Sequence, residues 1–137
     1  MKKLIKLICI ITIVILNVSC SSDDDSNNSV PTPDSINQTE WKHEESNRGY
    51  YIYFSVGNSM RISHPFYDVG SGQFHNEDID GTFTYDKPDV SIIFTGECTN
   101  SGFVFSSCNV TGSINGATLT INDNGTDYIF ENMYPNE

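Results

Sequence analysis

Apolar and polar residues alternate along most of the chain after Thr39, and a few turns set the phase of that alternation. Asn115-Gly116 suits a type I′ hairpin turn, because both residues accept positive φ. A hairpin closing there sets Ile114 against Ala117, Gly112 against Leu119 and Val110 against Ile121. Asn124-Gly125 sets Ile121 against Tyr128 and Leu119 against Phe130. Asp86-Lys87-Pro88-Asp89 sets Tyr85 against Val90, Phe83 against Ile92 and Gly81 against Phe94. In all three the apolar side chains share one face, as a one-sided core requires. Upstream, a three-residue loop Gly57-Asn58-Ser59 pairs Val56 with Met60 and Phe54 with Ile62. A two-residue loop would instead set Phe54 opposite Arg61 and turn one strand inside out. Across a turn at 46–49, Trp41 falls beside Phe54 and His43 beside Ile52.

This pattern predicts strands near 39–45, 50–56, 60–64, 79–85, 90–97, 103–114 (bent or interrupted near Cys108), 117–122 and 126–132. No stretch carries a helical stripe. The fold class is therefore all-β: a small eight-stranded antiparallel meander barrel, with a two-sheet β-sandwich as the alternative. Eight strands enclose a space just wide enough for their own side chains or one small ligand. Trp41, Phe54, Ile62, Phe83, Ile92, Phe94, Leu119 and Phe130 lead the inward set. In a meander, alternate connections share an end. One end then holds 46–49, 65–78, 98–102 and 123–125, and the other holds the compact turns 57–59, 86–89 and 115–116.

The first 38 residues read differently. Lys2, Lys3 and Lys6 precede an apolar run at 7–16 (LICIITIVIL), too short to span a bilayer but right for a secretory signal. It ends at Asn17-Val18-Ser19-Cys20, which resembles the lipobox of bacterial lipoproteins, with Asn17 where an apolar residue is usual. That resemblance implies cleavage before Cys20 and lipidation of its thiol, giving an anchor that does not cross the membrane. Ser21-Ser22-Asp23-Asp24-Asp25 resembles the acidic export signal of Bacteroidetes lipoproteins, which implies the outer face of the outer membrane. Residues 20–38 are too polar to offset the cost of ordering and are read as a disordered acidic tether. Asp34-Ser35-Ile36 matches a three-residue O-glycosylation pattern of that phylum, making Ser35 a candidate. The expected division is 1–19 signal peptide, 20–38 lipidated Cys and tether, and 39–137 barrel domain.

Charge and cysteines refine this picture. Loss of the signal leaves Lys42, Arg48, Arg61 and Lys87 against all 18 acidic residues. Such a chain lacks the basic patch that nucleic acid demands. With Cys9 removed and Cys20 lipidated, Cys98 and Cys108 remain, and outside the cytosol they are expected to form one disulfide. A loop that short contributes roughly 2–3 kcal/mol.

Taken together, the lipobox, the acidic tether, the Thr39-Glu40-Trp41-Lys42 opening and the Gly81-Thr82-Phe83-Thr84-Tyr85-Asp86 strand resemble small lipocalin-like lipoproteins of Bacteroidetes. So do the Gly116-Ala117-Thr118-Leu119-Thr120-Ile121 strand and the Tyr128-Ile129-Phe130-Glu131-Asn132 close. The resemblance spans nearly the whole mature chain. It implies a fold and a location and imports no activity.

Candidate chemistry is sparse. His43 and His64 share the inward parity of Trp41 and Ile62, in one row with Ile52 between them. His75 lies in the 65–78 loop at the same end, beside Asn76-Glu77-Asp78. Zinc takes nitrogen and carboxylate ligands of this kind, although the histidine spacing matches no compact ligand motif. A calcium loop starting at Asn76 fails, because Lys87 stands where a bidentate Glu is needed. Phe66, Tyr67 and Phe74 put aromatics into the long loop, either as contacts for a protein or glycan or as a plug over the barrel mouth. Arg48, in the first turn, and Arg61, outward by parity, are candidates for holding an acidic ligand group. No nucleophile elbow, metalloprotease helix or cofactor motif is present, so an enzyme is not expected and no cofactor is assigned. The expected role is a surface-anchored binding lipoprotein. Its distal loops or barrel mouth would take a small apolar molecule or a macromolecular partner such as a surface protein or glycan. The alternative is a structural or accessory envelope component, or an inhibitor, without a small-molecule ligand. The only expected membrane contact is the lipid anchor.

Overall fold

The structure, a computed structural model, describes residues 30–46, 48–96, 98 and 103–135. The signal segment, Cys20 and the acidic run at 21–25 lie outside the described residues. The strands are β1 Thr39–Glu45, β2 Arg48–Phe54, β3 Ser59–Asp68, β4 Gln73–Asp86, β5 Asp89–Phe94, β6 Asn109–Asn115, β7 Thr118–Asp123 and β8 Thr126–Asn132. Each pairs antiparallel with the next, and β8 returns to β1 through Trp41 with Asn132 and Lys42 with Glu131. The sheet is a closed barrel. That last pairing excludes the open sandwich.

The inward faces are as expected, but three registers differ by two residues. Ile114 pairs with Leu119, not Ala117, and Gly112 with Ile121. The loop there is Gly116-Ala117, with Gly116 at φ +60° and Asn115 still in the strand. A turn needing positive φ only at its first central residue is the type II′ hairpin, and glycine satisfies it. Phe54 pairs with Met60 and Ile52 with Ile62. Gly57 and Asn58 both take positive φ, so the loop is Val56-Gly57-Asn58 and Val56 is 67% exposed. Ser46, at φ +56°, begins a tight turn between Glu45 and Arg48. Trp41 therefore pairs with Ile52 and His43 with Tyr50, and Arg48 opens a strand instead of sitting in a turn. The hairpins at 86–89 and 124–125 keep the expected registers. A slip of two preserves the face of every side chain, which is why the core is right where the pairing is not.

Side chains fill the interior. Trp41, Ile52, Phe54, Ile62, Ile92, Leu119, Ile121 and Phe130 are all fully buried. Elements outside the strands close both ends. At the compact end, residues 30–38, expected as disordered tether, are packed across the barrel. Ile36 is 1% exposed. The Thr39 hydroxyl donates to the Ile36 carbonyl at 2.6 Å, and the Trp41 indole N–H donates to the Thr39 hydroxyl at 2.9 Å. Tyr85 Oη donates to the Pro33 carbonyl, the Gly116 N–H to Thr32 Oγ1, and Lys87 Nζ to Asp34. One apolar residue and several backbone groups are enough to order this segment, which its polar composition conceals.

At the opposite end, 103–108 was expected to begin a long strand. It folds instead over the mouth, and β6 starts at Asn109. Phe103, Val104 and Phe105 are consecutive apolar residues, and a strand would have turned one of them outward. Here Val104 and Phe105 are both buried, with Phe105 among Phe94, Phe103, Tyr128 and Phe130. The Cys98–Cys108 disulfide ties this connection together, with Cα atoms 5.4 Å apart. Replacing Ile36 with Ala should cost about 2–4 kcal/mol in denaturant unfolding, as removal of a buried branched side chain does. A loss within about 0.5 kcal/mol would mean that the segment at 30–38 is not part of the folded unit.

Candidate functional site

Strands β3 and β4 outlast their neighbours. The last β2–β3 pair is Tyr51 with Ser63, whereas β3–β4 pairing continues through His64–Glu77, Pro65–Asn76, Phe66–His75 and Tyr67–Phe74 to Asp68–Gln73. The expected 65–78 loop is therefore a two-stranded arm standing off the barrel mouth. Its tip is built by Asp68, whose carboxylate accepts the N–H groups of Gly70 and Ser71 while its carbonyl accepts that of Gly72. Gly72 takes φ +69° to close the turn.

The aromatics sit on this arm and do not plug the mouth. Phe74 is 80% and Tyr67 52% exposed, and their rings tilt against each other at 5.1 Å. Phe66 is half-buried and stacks on His75. A cleft of about 600 Å³ between the arm and the start of β2 is lined by Arg48, His64, Pro65, Phe66, Tyr67, Phe74 and Glu77. The structure thus brings Arg48, Phe66, Tyr67 and Phe74 to one place. Pro65 and Glu77 join them unanticipated, because a residue read as loop has no predicted facing. Arg61 is elsewhere, bound to Asp80 at 2.7 Å with Asp78 at 3.7 Å. The salt bridge to Asp80 holds the guanidinium above its ordinary range and the Asp80 carboxyl below it.

The histidines do not converge on one point. Tyr50, not Ile52, lies between His43 and His64, with its ring 6.2 Å from the first and 4.6 Å from the second. His43 Nδ1 is 2.7 Å from the Ile129 carbonyl and His64 Nδ1 is 3.0 Å from that of Gly49. A carbonyl only accepts, so both Nδ1 atoms carry protons. His75 is exposed, with Nε2 3.2 Å from Ser71 Oγ. Among the described residues no group of three or more His, Cys, Asp or Glu is arranged to hold a metal ion. The three-histidine site is corrected accordingly: a tyrosine ring fills the gap a metal would need.

Two other features bear on the choice of site. A depression of about 680 Å³ lies on the outer face of β4 to β8, lined by residues including Thr84, Ser91, Thr111, Thr120, Asn122 and Asp127. It is larger than the arm cleft, but no aromatic or cationic side chain lines it. At the mouth, Asp123 is 4% exposed; its Oδ2 accepts both the N–H and the hydroxyl of Ser106, and its Oδ1 has no hydrogen-bond partner. This carboxylate holds the mouth segment down. Ser35 is exposed on the segment at 30–38.

No family model matches the chain, and no curated protein matches it. The fold is similar to solved structures. One is a lipocalin-like protein from Bacteroides uniformis, with 15% identity and a TM-score of 0.46 over 70% of this chain and 96% of that one. Another is an uncharacterized protein from Bacteroides eggerthii, with 12% identity and a TM-score of 0.43 over 72% and 99%. The barrel itself is a closed eight-stranded antiparallel meander.

Tyr67→Ser and Phe74→Ser should each leave the melting temperature within about 2 °C, since neither side chain is in the core. Phe105→Ala should cost about 3–5 kcal/mol. The reverse order would place the arm aromatics in the fold and the mouth segment outside it. The arm tip should also respond to acid. Hydrogen bonds from the Ser71 hydroxyl and the Gly70 and Ser71 amides hold the Asp68 carboxyl below its ordinary 3.8. A depressed carboxylate lends stability above its unfolded value and loses it as pH falls through the folded one. Amide shifts of Gly70 and Ser71 should therefore move toward unstructured values below about pH 3.8, while those of Ile92 stay fixed.

Proposed function

We propose that this chain is a surface-anchored binding module that engages a macromolecular partner through the β3–β4 arm and carries no ligand inside its barrel. One observation carries the reading. The interior is filled by side chains and both ends are stoppered, by Ile36 and by Phe105, while Tyr67 and Phe74 are left exposed on an arm that needs neither for its core. Exposed aromatics beside an arginine are the composition that protein interfaces favour. Arg48 and Glu77 in the same cleft offer both signs of charge to a polar ligand.

The anchoring part of the reading draws support from the sequence, where the lipobox-like run ending at Cys20 and the acidic stretch after it precede the folded unit. It also fits the geometry. Residue 30 lies at the compact end, with its carbonyl close to Gly116. A tether leaving from there would hold the barrel with the arm pointing away from the membrane. Loops and arms displayed on a rigid scaffold are where binding generally resides.

Two measurements test this together. An apolar fluorescent probe such as 1-anilinonaphthalene-8-sulfonate should find no saturable site in the barrel. On arrays of glycans and extended peptides, the protein should retain specific ligands that Tyr67→Ser/Phe74→Ser loses. Saturable dye binding that survives the double substitution would move the site into the barrel and sink the reading.

A further inference from the structure

The arm has two strand edges, and the chain treats them differently. Backbone N–H and C=O groups point alternately to the two sides of a strand. In β3 the Ser59 carbonyl accepts the Ser55 N–H. Odd-numbered residues of β3 thus turn their backbone groups toward β2, and pairing with β2 stops at Ser63. The next such residue is Pro65, which has no N–H to offer. Proline at that position blunts an edge against further pairing.

Among the described residues the β4 edge has no such guard. The Asp80 carbonyl accepts the Thr95 N–H at 2.8 Å, so even-numbered residues of β4 turn toward β5. Strand β5 ends at Phe94. Beyond it Asp78, Asn76 and Phe74 present backbone donors and acceptors with no partner among the described residues, and residues 73–78 are all exposed. The β3–β4 ladder runs one-to-one from Ser59–Thr82 to Asp68–Gln73, so no bulge twists this edge away.

We propose that the β4 edge from Phe74 to Asp78 takes an added strand from a basic, extended segment of a partner protein. This rests on the arm being the binding site and names what it binds. Main-chain pairing to an open edge supplies affinity, and side-chain contacts supply choice. Charge sets the chemistry of the partner. Glu77 and Asp78 lie in this stretch and Asp80 just beyond it, three carboxylates against two cations, Arg61 beside Asp78 and Asp80 and Arg48 in the cleft with Glu77. An incoming lysine or arginine therefore meets a favourable field. A second copy of the chain, with formal net charge −11, meets repulsion, and the same acidic stretch would approach itself. Phe74, on the outward face of β4, stands where an added strand would place its own side chains alongside, at roughly 4.5–5.5 Å for a directly opposed pair.

The probe is a short peptide alternating lysine with valine or threonine, titrated into the isotope-labelled protein. Expected is saturable binding, with amide shift changes centred on Phe74, Asn76 and Asp78. N-methylation of alternate peptide residues, which removes donors but keeps every charge, should weaken binding at least about tenfold. Asn76→Pro, which removes an edge donor, should weaken it comparably while the Phe66 and Tyr67 signals report an intact arm. Equal binding by the methylated peptide would reduce the contact to charge alone and overturn the proposal, as would no saturable binding. A concentration-dependent dimer perturbing the same amides would give the edge to a second copy, also against it. If Tyr67→Ser/Phe74→Ser loses a glycan that Asn76→Pro retains, strand addition fails and the arm remains the binding site. If the double variant retains every ligand, both readings fail.

Discussion

Stoppering the two ends of the barrel is the constraint on which the rest of this structure depends. Closing eight strands on themselves satisfies every neighbouring edge, yet it leaves two openings through which apolar side chains would meet water. The chain meets the requirement with segments that are not strands. Ile36 enters at one end and Phe105 at the other. At the first, hydrogen bonds run from the Trp41 indole to Thr39 and from Thr39 to the Ile36 carbonyl, so the largest core side chain and its cover are linked. A buried indole N–H left unanswered would cost what an unmade hydrogen bond costs; Thr39 of β1 removes that penalty, and the Ile36 carbonyl in turn holds the Thr39 hydroxyl. Side chains occupy the interior of a barrel stoppered in this way, which is why recognition is proposed for its outside.

The arm follows from the same economy. A two-stranded ribbon is marginal by itself, and this one holds its shape by attachment at one end and by the Asp68 turn at the other. Because it buries so little, its side chains are released from core duty. Tyr67 and Phe74 can stand in solvent without exposing the interior, and changing them should leave the barrel intact. Stability resides in the closed sheet and its stoppers, and recognition is proposed for the extension.

How far the sequence could be read follows from these particulars. Alternation has period two, so it reports which face a side chain takes and is blind to a slip of two residues. Phe54, Ile62, Leu119 and Trp41 were therefore read as core even where their partners were misassigned. Which residue takes positive φ decides the slip, and Asn115-Gly116 offers two solutions, I′ and II′, that differ only in the conformation of Asn115 and Ala117. Asn124-Gly125 takes the first of these, with both residues at positive φ, and its register agrees with the alternation. The arm was missed for another reason. Its strands bury little, Phe66 being half-buried and residues 73–78 exposed, so residues 65–78 carry too few apolar positions to set an alternation, and only the aromatics mark that something is displayed there. Ile36 was hidden by its polar neighbours. The Phe103-Val104-Phe105 run did carry a signal, since three consecutive apolar residues fit a cover over an opening better than a one-sided strand.

The histidines show how much a register of two can matter. In the expected pairing Ile52 separated His43 from His64, leaving space that a metal ion might bridge. In the actual pairing Tyr50 takes that place, and the row becomes a run of stacked rings, His43, Tyr50, His64, Phe66 and His75, crossing from β1 to β4. The ring faces in this row lie against one another, with Tyr50 between the two histidines, and the Nδ1–H groups of His43 and His64 donate to backbone carbonyls. Each offset ring pair is worth of order 0.5–1.5 kcal/mol where both partners are buried, and less toward the exposed His75. The run starts where the barrel is closed and ends on the arm, where β3 and β4 have no further strand beside them among the described residues. In the proposed reading this run would link the barrel mouth to the base of the arm and help hold the β4 edge in place. An edge held in place needs less ordering before it can accept another strand.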